Sequence, residues 1–218
     1  MTSIDLFLPY ILYAVHACPQ ITAEQAIVRA CNDFCRRTDV VQKIQAPTDI
    51  IAGTSDYAVI APTDMTLVRV TGASWQGHWL VPVPPDDVQS DVALRSAAVG
   101  IAVPVVGSPR FFFQKTTDLS TISLYPIPDT SLAGALLIKA SFAPTPTALT
   151  VDDALFTDWY EDIAAGALAR LKAIPGTPWS ADPSRDAARF EHGVSNAKRQ
   201  KLFGKQPSAS RIQPQGFI

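Results

Sequence analysis

The hydrophobic period of this chain changes twice, and that change limits the fold more than any single motif. Ala23, Ile27, Ala30, Cys31 and Phe34 recur at the three- and four-residue steps of one helical face, with Glu24, Arg29, Asn32, Asp33, Arg36 and Arg37 filling the other. Between about Tyr57 and Phe142 the pattern gives way to short β-branched or aromatic runs separated by turn residues. These runs are YAVIA, TLVRV, HWLV, IAVPVV, RFFFQ, TISLY and ALLIKASF. Helical spacing then returns in Phe156, Trp159, Tyr160, Ile163, Ala167, Leu168 and Leu171. An amphipathic helix cannot hide its stripe alone, so the first helix is expected to pack with the later ones and bring both chain ends to one region. The predicted class is α+β. A small helical bundle, with one N-terminal and two C-terminal helices, carries an inserted antiparallel β-sheet or sandwich and an extended C-terminal tail.

Punctuation residues set the boundaries. Thr22 with Gln25 reads as a capping box, and Asp152 or Asp153 as the acid that starts the next helix. Pro175-Gly176 stops that helix, and Asp182-Pro183 opens another whose inward face would be Ala187, Phe190, Val194 and Ala197, ending at Gly204. The stretch between is an antiparallel helical hairpin, with Trp179 expected to plug its loop, while Ala164 to Ala167 are small enough for close helix approach. Pro104 points to an edge strand or a bulge. The expected divisions are 1–50 for the N-terminal segment and first helix, 51–148 for the β domain, 149–203 for the helical hairpin and 204–218 for the tail.

With 47 % hydrophobic and 17 % charged residues among 218, the chain has ample material for a packed core. No run of 18 apolar residues occurs, and an acid stands near the N-terminus where a secretory signal would carry base, so neither a membrane span nor export is expected. Cys18, Cys31 and Cys35 make an odd count without framework spacing, which suits reduced thiols.

The search for chemistry is mostly negative. His16, Cys18, Cys31 and Cys35 lack the short knuckles that pair zinc ligands, and the cysteines fit a buried stripe better, so no metal and no cofactor are expected. Asp158, Glu161 and Asp162 could suggest an acid–base pair, but their spacing puts them opposite Trp159 and Ile163 on a solvated face or one that meets a basic neighbour. There is no G-x-S-x-G, phosphate loop or dinucleotide glycine pattern, and no catalytic residue is assigned. Trp75, His78 and Trp79 with Phe111, Phe112 and Phe113 fit either a ligand-binding aromatic platform or the inward residues of a sandwich core.

Charge is unevenly placed. From His192 onward stand Lys198, Arg199, Lys201, Lys205 and Arg211 with no acid, so of the net −2 everything before that point carries −7. A basic tail on an acidic body reads as an attachment device or as a solvated terminus.

The order of parts then carries a resemblance. A CP before a helix, ACNDFCRRT, GSPRFFFQ and LYPIPD in the β region, WYEDIAAGALARLKAIPGTPW, and finally DP with AARFEHGVSNAKRQ run in sequence from about Pro9 to Lys201. In that order they resemble the head-to-tail adaptor proteins of tailed bacteriophages, the tail tubular A or tail accessory type of short-tailed phages above all. The resemblance implies a non-enzymatic ring, typically a dodecamer, that docks beneath the portal protein of the filled head and offers a platform to the nozzle or tail tube. It implies residence in the virion neck after assembly in the host cytoplasm, with packaged DNA passing the lumen without sequence-specific binding. Carried over, portal binding would fall to Lys198, Arg199, Lys201, Lys205, Arg211, Ile212, Phe217 and Ile218. Contacts between subunits would fall to Arg36, Arg37, Glu161, Asp162 and Arg185. Some members degrade peptidoglycan, an activity for which this sequence offers no convincing catalytic pair. The alternative expectation is a carbohydrate- or receptor-binding β module of a phage tail.

Overall fold

The computed structural model describes residues 1–88, 105–115 and 118–204. Contacts divide the chain into a unit built from Met1–Val40 with the segment from Val151 onward, and a second unit, Val41–Thr150.

The first unit holds β1 (Thr2–Ser3), a 3₁₀ turn (Ile4–Phe7), α1 (Leu8–Leu12), α2 (Gln20–Thr38), α3 (Asp153–Lys172) and α4 (Ser184–Gly204). Helix α2 buries the expected Ala23, Ile27, Ala30, Cys31, Phe34 and Cys35, and adds Ala26 and Val28. Its start corrects the capping-box expectation, because the N-cap is Pro19, which makes no side-chain cap bond. The Pro19 carbonyl accepts from the N–H groups of Thr22 and Ala23 at 3.0 and 3.1 Å, so Thr22 already lies in the first turn. Proline's fixed φ sets the entry without a hydroxyl. The helix ends at Asp39, whose left-handed φ of 50° lets its N–H donate to the Cys35 carbonyl at 2.8 Å.

Helix α1 is an addition to the sequence reading. It is short and has proline in its first turn, so it shows little period, yet it buries Leu8 and Ile11 beside Ile4 and Phe7 of the 3₁₀ turn. Phe7 meets Phe156 of α3 edge-on at 5.1 Å. Helix α3 begins as expected, with the Asp152 carboxylate accepting from Ala154 N–H at 3.2 Å. Its buried face is Leu155, Trp159, Ile163, Gly166, Ala167 and Leu171, whereas Phe156, Tyr160 and Leu168 are only half-buried. Two of these lie on the flank toward α1, where Tyr10 stacks on Tyr160 at 5.0 Å.

In α4 the expected Phe190, Val194 and Ala197 are buried, but Ala187 is exposed. The inward face of that first turn passes instead through Asp186, whose carboxylate meets Lys172 Nζ at 2.6 Å. Asp182 accepts from the Ser184 N–H at 2.9 Å and satisfies one of the free donors of the helix start. Trp179 is half-buried in the connecting loop, which is drawn back to α3 by Ala181 N–H donating to the Lys172 carbonyl at 3.1 Å.

The second unit contains β2 (Gln42–Ile44), β3 (Thr48–Ile50), β4 (Asp56–Ala58), β5 (Met65–Trp75), β6 (His78–Trp79), β7 (Val81–Pro82), β8 (Phe111–Gln114), β9 (Thr121–Tyr125) and β10 (Leu132–Pro144), while β11 (Thr150–Val151) falls on the boundary of the two units. One sheet runs β2-β10-β5-β6 with β3 also on β10, and the other runs β4-β9-β8-β7. The β5/β10 pair is the spine, and its register slips between Lys139 and Ala140 and again between Ser141 and Phe142. Strands β5 and β6 join through Gln76 and Gly77, at φ 50° and 79°, the doubly positive pattern favoured in two-residue hairpins.

Two expectations for this region change. Strands begin at Gln42 rather than after residue 50, because β2 and β3 are three-residue pieces recruited by β10 and have no alternation of their own. The second sheet is also not wholly antiparallel, since β7 pairs with β8 in parallel. Residues 101–104 of the IAVPVV run, Pro104 included, lie outside the described residues; Val106 forms an isolated parallel bridge to Ile127.

Candidate functional site

Among the described residues, the α3–α4 hairpin carries most of those to which a binding role was assigned. Its two helices approach closely because two glycines face large partners. A Cβ on Gly166 would stand 2.4 Å from Phe190 Cδ2, and one on Gly193 would stand 2.4 Å from Asp162 Cγ. Phe190 then fills the space against Phe34 of α2, with ring centroids 6.0 Å apart, while the Arg37 and Arg170 guanidinium groups lie over its ring at 5.8 and 5.2 Å. Arg170 also donates to Asp33 and to the Gly166 carbonyl, both at 2.7 Å, fixing α3 against α2.

Several residues expected between subunits are used within the chain. Arg37 donates to Glu191 of α4 at 2.7 Å, which raises the arginine and holds the Glu191 carboxyl below its ordinary range, chiefly through that hydrogen bond. Glu161 pairs with Arg189 and accepts from the Tyr160 hydroxyl at 2.9 Å. Asp162 is not on the solvated face: it is half-buried beneath Gly193, and burial raises its carboxyl above the ordinary value against the pull of Arg189 and His192. Arg36 is exposed, its Nε donating to Asn32 at 2.9 Å, and Arg185 is exposed. Asp158 is exposed as expected.

The basic end of α4 divides in two. Lys198 and Arg199 are exposed, but Lys201 turns inward, its Nζ 2.7 Å from the Asp39 carboxylate. That aspartate side chain is 1 % exposed and the lysine 25 %, so the pair pins the end of α4 to the left-handed cap of α2. Sequence reasoning missed this ion pair, because Asp39 looks like an ordinary surface acid after a helix. Lys205, Arg211, Ile212, Phe217 and Ile218 lie outside the described residues.

Elsewhere, Cys31 and Cys35 are buried in α2; burial pushes Cys31 up to about 12 and Cys35 well above its ordinary value, so both remain thiols. Among the described residues no His, Cys, Asp and Glu cluster is arranged to hold a metal ion, and no helix is long and apolar enough to cross a membrane. The aromatic set of the β unit splits by face. Trp75 and Phe112 are buried core, Phe111 and Phe113 are half-buried, and His78 and Trp79 are exposed, Trp79 at 72 %. The Trp79 ring lies over Gly72, where a Cβ would come within 3.3 Å of it. No family model matches the sequence, and no curated protein matches it.

Proposed function

We propose that this chain is a structural head-to-tail adaptor of a tailed-phage virion, which forms a ring on the portal protein, helps retain packaged DNA and gives the nozzle or tail tube its platform. The observation that carries this reading is the end of α4. A helix clamped to the bundle by Lys201 and Asp39 presents Lys198 and Arg199 to solvent, ahead of a segment with two more cations, no acid, and an apolar tip of Ile212, Phe217 and Ile218. Fixed base followed by cationic and apolar chain suits docking on an acidic, grooved protein surface, where charge guides encounter and apolar anchors hold. The acidic remainder of the chain suits a channel wall, since each phosphate it neutralised would retard passage of DNA. No enzymatic role is assigned.

Native mass spectrometry of the chain with the portal of the same phage tests this, alongside a version truncated after Phe203. A ring on the portal from the full chain and none from the truncated chain is the expected result; a full chain that ignores the portal overturns it. A second reading, a carbohydrate- or receptor-binding β module, is favoured by Trp79 alone, whose ring has an open face for stacking. In that case glycan quenches or shifts tryptophan emission, and Trp79→Ala abolishes the response.

A further inference from the structure

A groove of 220 Å³ runs between α1, α3 and α4, with Tyr10, Tyr160, Ala164, Ala165 and Leu168 as its walls and floor. Among the described residues, every charged side chain that lines it is already paired: Glu161 with Arg189, and Asp186 with Lys172 at 2.6 Å. A charged occupant would find no free counter-charge there, so the groove suits apolar side chains. It is also smaller than the roughly 300–1,000 Å³ of small-molecule sites, which fits one or two anchoring residues of a peptide better than a free ligand. The apolar surface continues onto α1, where Leu6, Tyr10 and Tyr13 are exposed, Tyr13 at 83 %. Three such side chains left in water beside an apolar groove are the pattern of an unfilled contact.

The chain itself supplies a segment that reaches this face. Gly166 of α3 packs on Phe190 of α4, and Gly193 of α4 on Asp162 of α3, so the two helices run antiparallel. Followed at about 1.5 Å per residue, that alignment brings the end of α4 at Gly204 level with the start of α3. From there Tyr160 lies about 12 Å and Leu168 about 24 Å along the α3 axis. The 14 residues from Lys205 to Ile218 can span up to about 46 Å, so the groove is within reach with half the segment to spare. Their apolar members, Ile212, Phe217 and Ile218, stand toward the far end, where the reach is greatest. A tether of this length holds its end at an effective concentration on the order of millimolar, so an intrinsic Kd of about 1 mM already gives about half occupancy.

We infer that in the free chain the apolar tip of the C-terminal segment, Ile212, Phe217 and Ile218, lies in the groove between α1, α3 and α4 of its own helical unit. The contact covers the exposed tyrosine face and keeps the tip from unspecific association. Its role in docking rests on the adaptor reading, in which the portal protein competes for the tip and draws it out of the groove; the contact itself does not.

The test uses the full chain with Gly216→Cys, beside the tip, carrying a nitroxide whose broadening of amide signals is read by NMR. Cys18, Cys31 and Cys35 are buried and stay unlabelled, which wild type treated with the same reagent checks. The signals of Tyr10, Tyr160 and Leu168 are expected to lose most of their intensity. Those of Gln25 and Arg29, which line a separate pocket with Arg170 and Ile174, should keep theirs. Phe217→Ser with Ile218→Ser empties the groove from the side of the tip, and Tyr10→Ser, at a half-exposed position where circular dichroism checks the fold, spoils its wall. Each is expected to raise the residual intensity severalfold. No loss, an even loss over the whole surface, or a loss that survives both changes would overturn the inference. So would a loss that appears when isotope and nitroxide are on different copies in a mixed sample, which would assign the groove to a neighbour's tip. With portal added, recovery of the signals supports the adaptor reading as well; a selective loss that ignores the portal keeps this contact and removes that reading.

Discussion

The Lys201–Asp39 pair makes an asymmetric prediction. Replacing Lys201 with methionine keeps the aliphatic stem and its packing but removes the ammonium that stands 2.7 Å from a carboxylate. Asp39 cannot follow its partner into water, since its side chain is 1 % exposed. Leaving a buried charge wholly uncompensated costs about 3–5 kcal/mol; the lysine side is 25 % exposed and Asp39 keeps further interactions, so the loss here falls below that range, at about 2 kcal/mol. Asp39→Asn is milder. Asparagine tolerates the left-handed conformation at φ 50°, and the released Lys201 ammonium can swing to solvent, so the loss is about 1 kcal/mol. The double variant should then recover about 1 kcal/mol relative to the sum of the singles. Urea unfolding at pH 7, followed by circular dichroism at the helical band, gives all four corners of the cycle. Equal costs for the two single variants, or a Lys201→Met variant as stable as wild type, would refute the claim that this lysine stabilises the buried Asp39 charge. The same variant separates structure from docking: a lysine that touched the portal directly would lose portal binding at unchanged stability.

Gly166→Ala sets better helix propensity, worth about 1 kcal/mol, against a Cβ 2.4 Å from the buried Phe190 ring. Overpacking of about 1–3 kcal/mol outweighs that gain, so the urea midpoint should fall, and an unchanged or raised midpoint would mean that α3 and α4 separate easily. Alkaline stability tests the cysteines. Unfolded thiols ionise near 9.0 whereas native Cys31 holds its proton to about 12, so its contribution is complete below pH 9 and is lost as pH rises from there toward 12. Each such thiol adds a slope of about 1.4 kcal/mol per pH unit within that window, and a Cys31→Ala, Cys35→Ala variant should unfold with a visibly flatter pH dependence between pH 9 and 10.5. If the slopes are equal, the thiols are not buried as described.

The two changes of hydrophobic period were enough to establish an α+β chain, because burial of a stripe at 3.6-residue spacing and of alternating β-branched runs is a local property of the residues that carry it. Asp152, Asp182 and Pro175-Gly176 mark helix ends for the same reason, their effect reaching only a turn away. Tertiary structure alone decided what lacks a local signature. The strands Gln42–Ile44 and Thr48–Ile50 exist because β10 supplies their hydrogen bonds, and the parallel β7–β8 pairing depends on a neighbour nearly thirty residues on. Thr22 lost its capping role to Pro19, and Ala187 lost its place in the core to Asp186 reaching Lys172. Charged residues were the least legible: Lys198 and Lys201 are chemically identical and three residues apart, yet one faces water and the other closes on a buried aspartate from a distant part of the chain. A charge in the sequence carries no direction. Only the packing of α4 against α2 determines whether it meets solvent, its own fold or a partner.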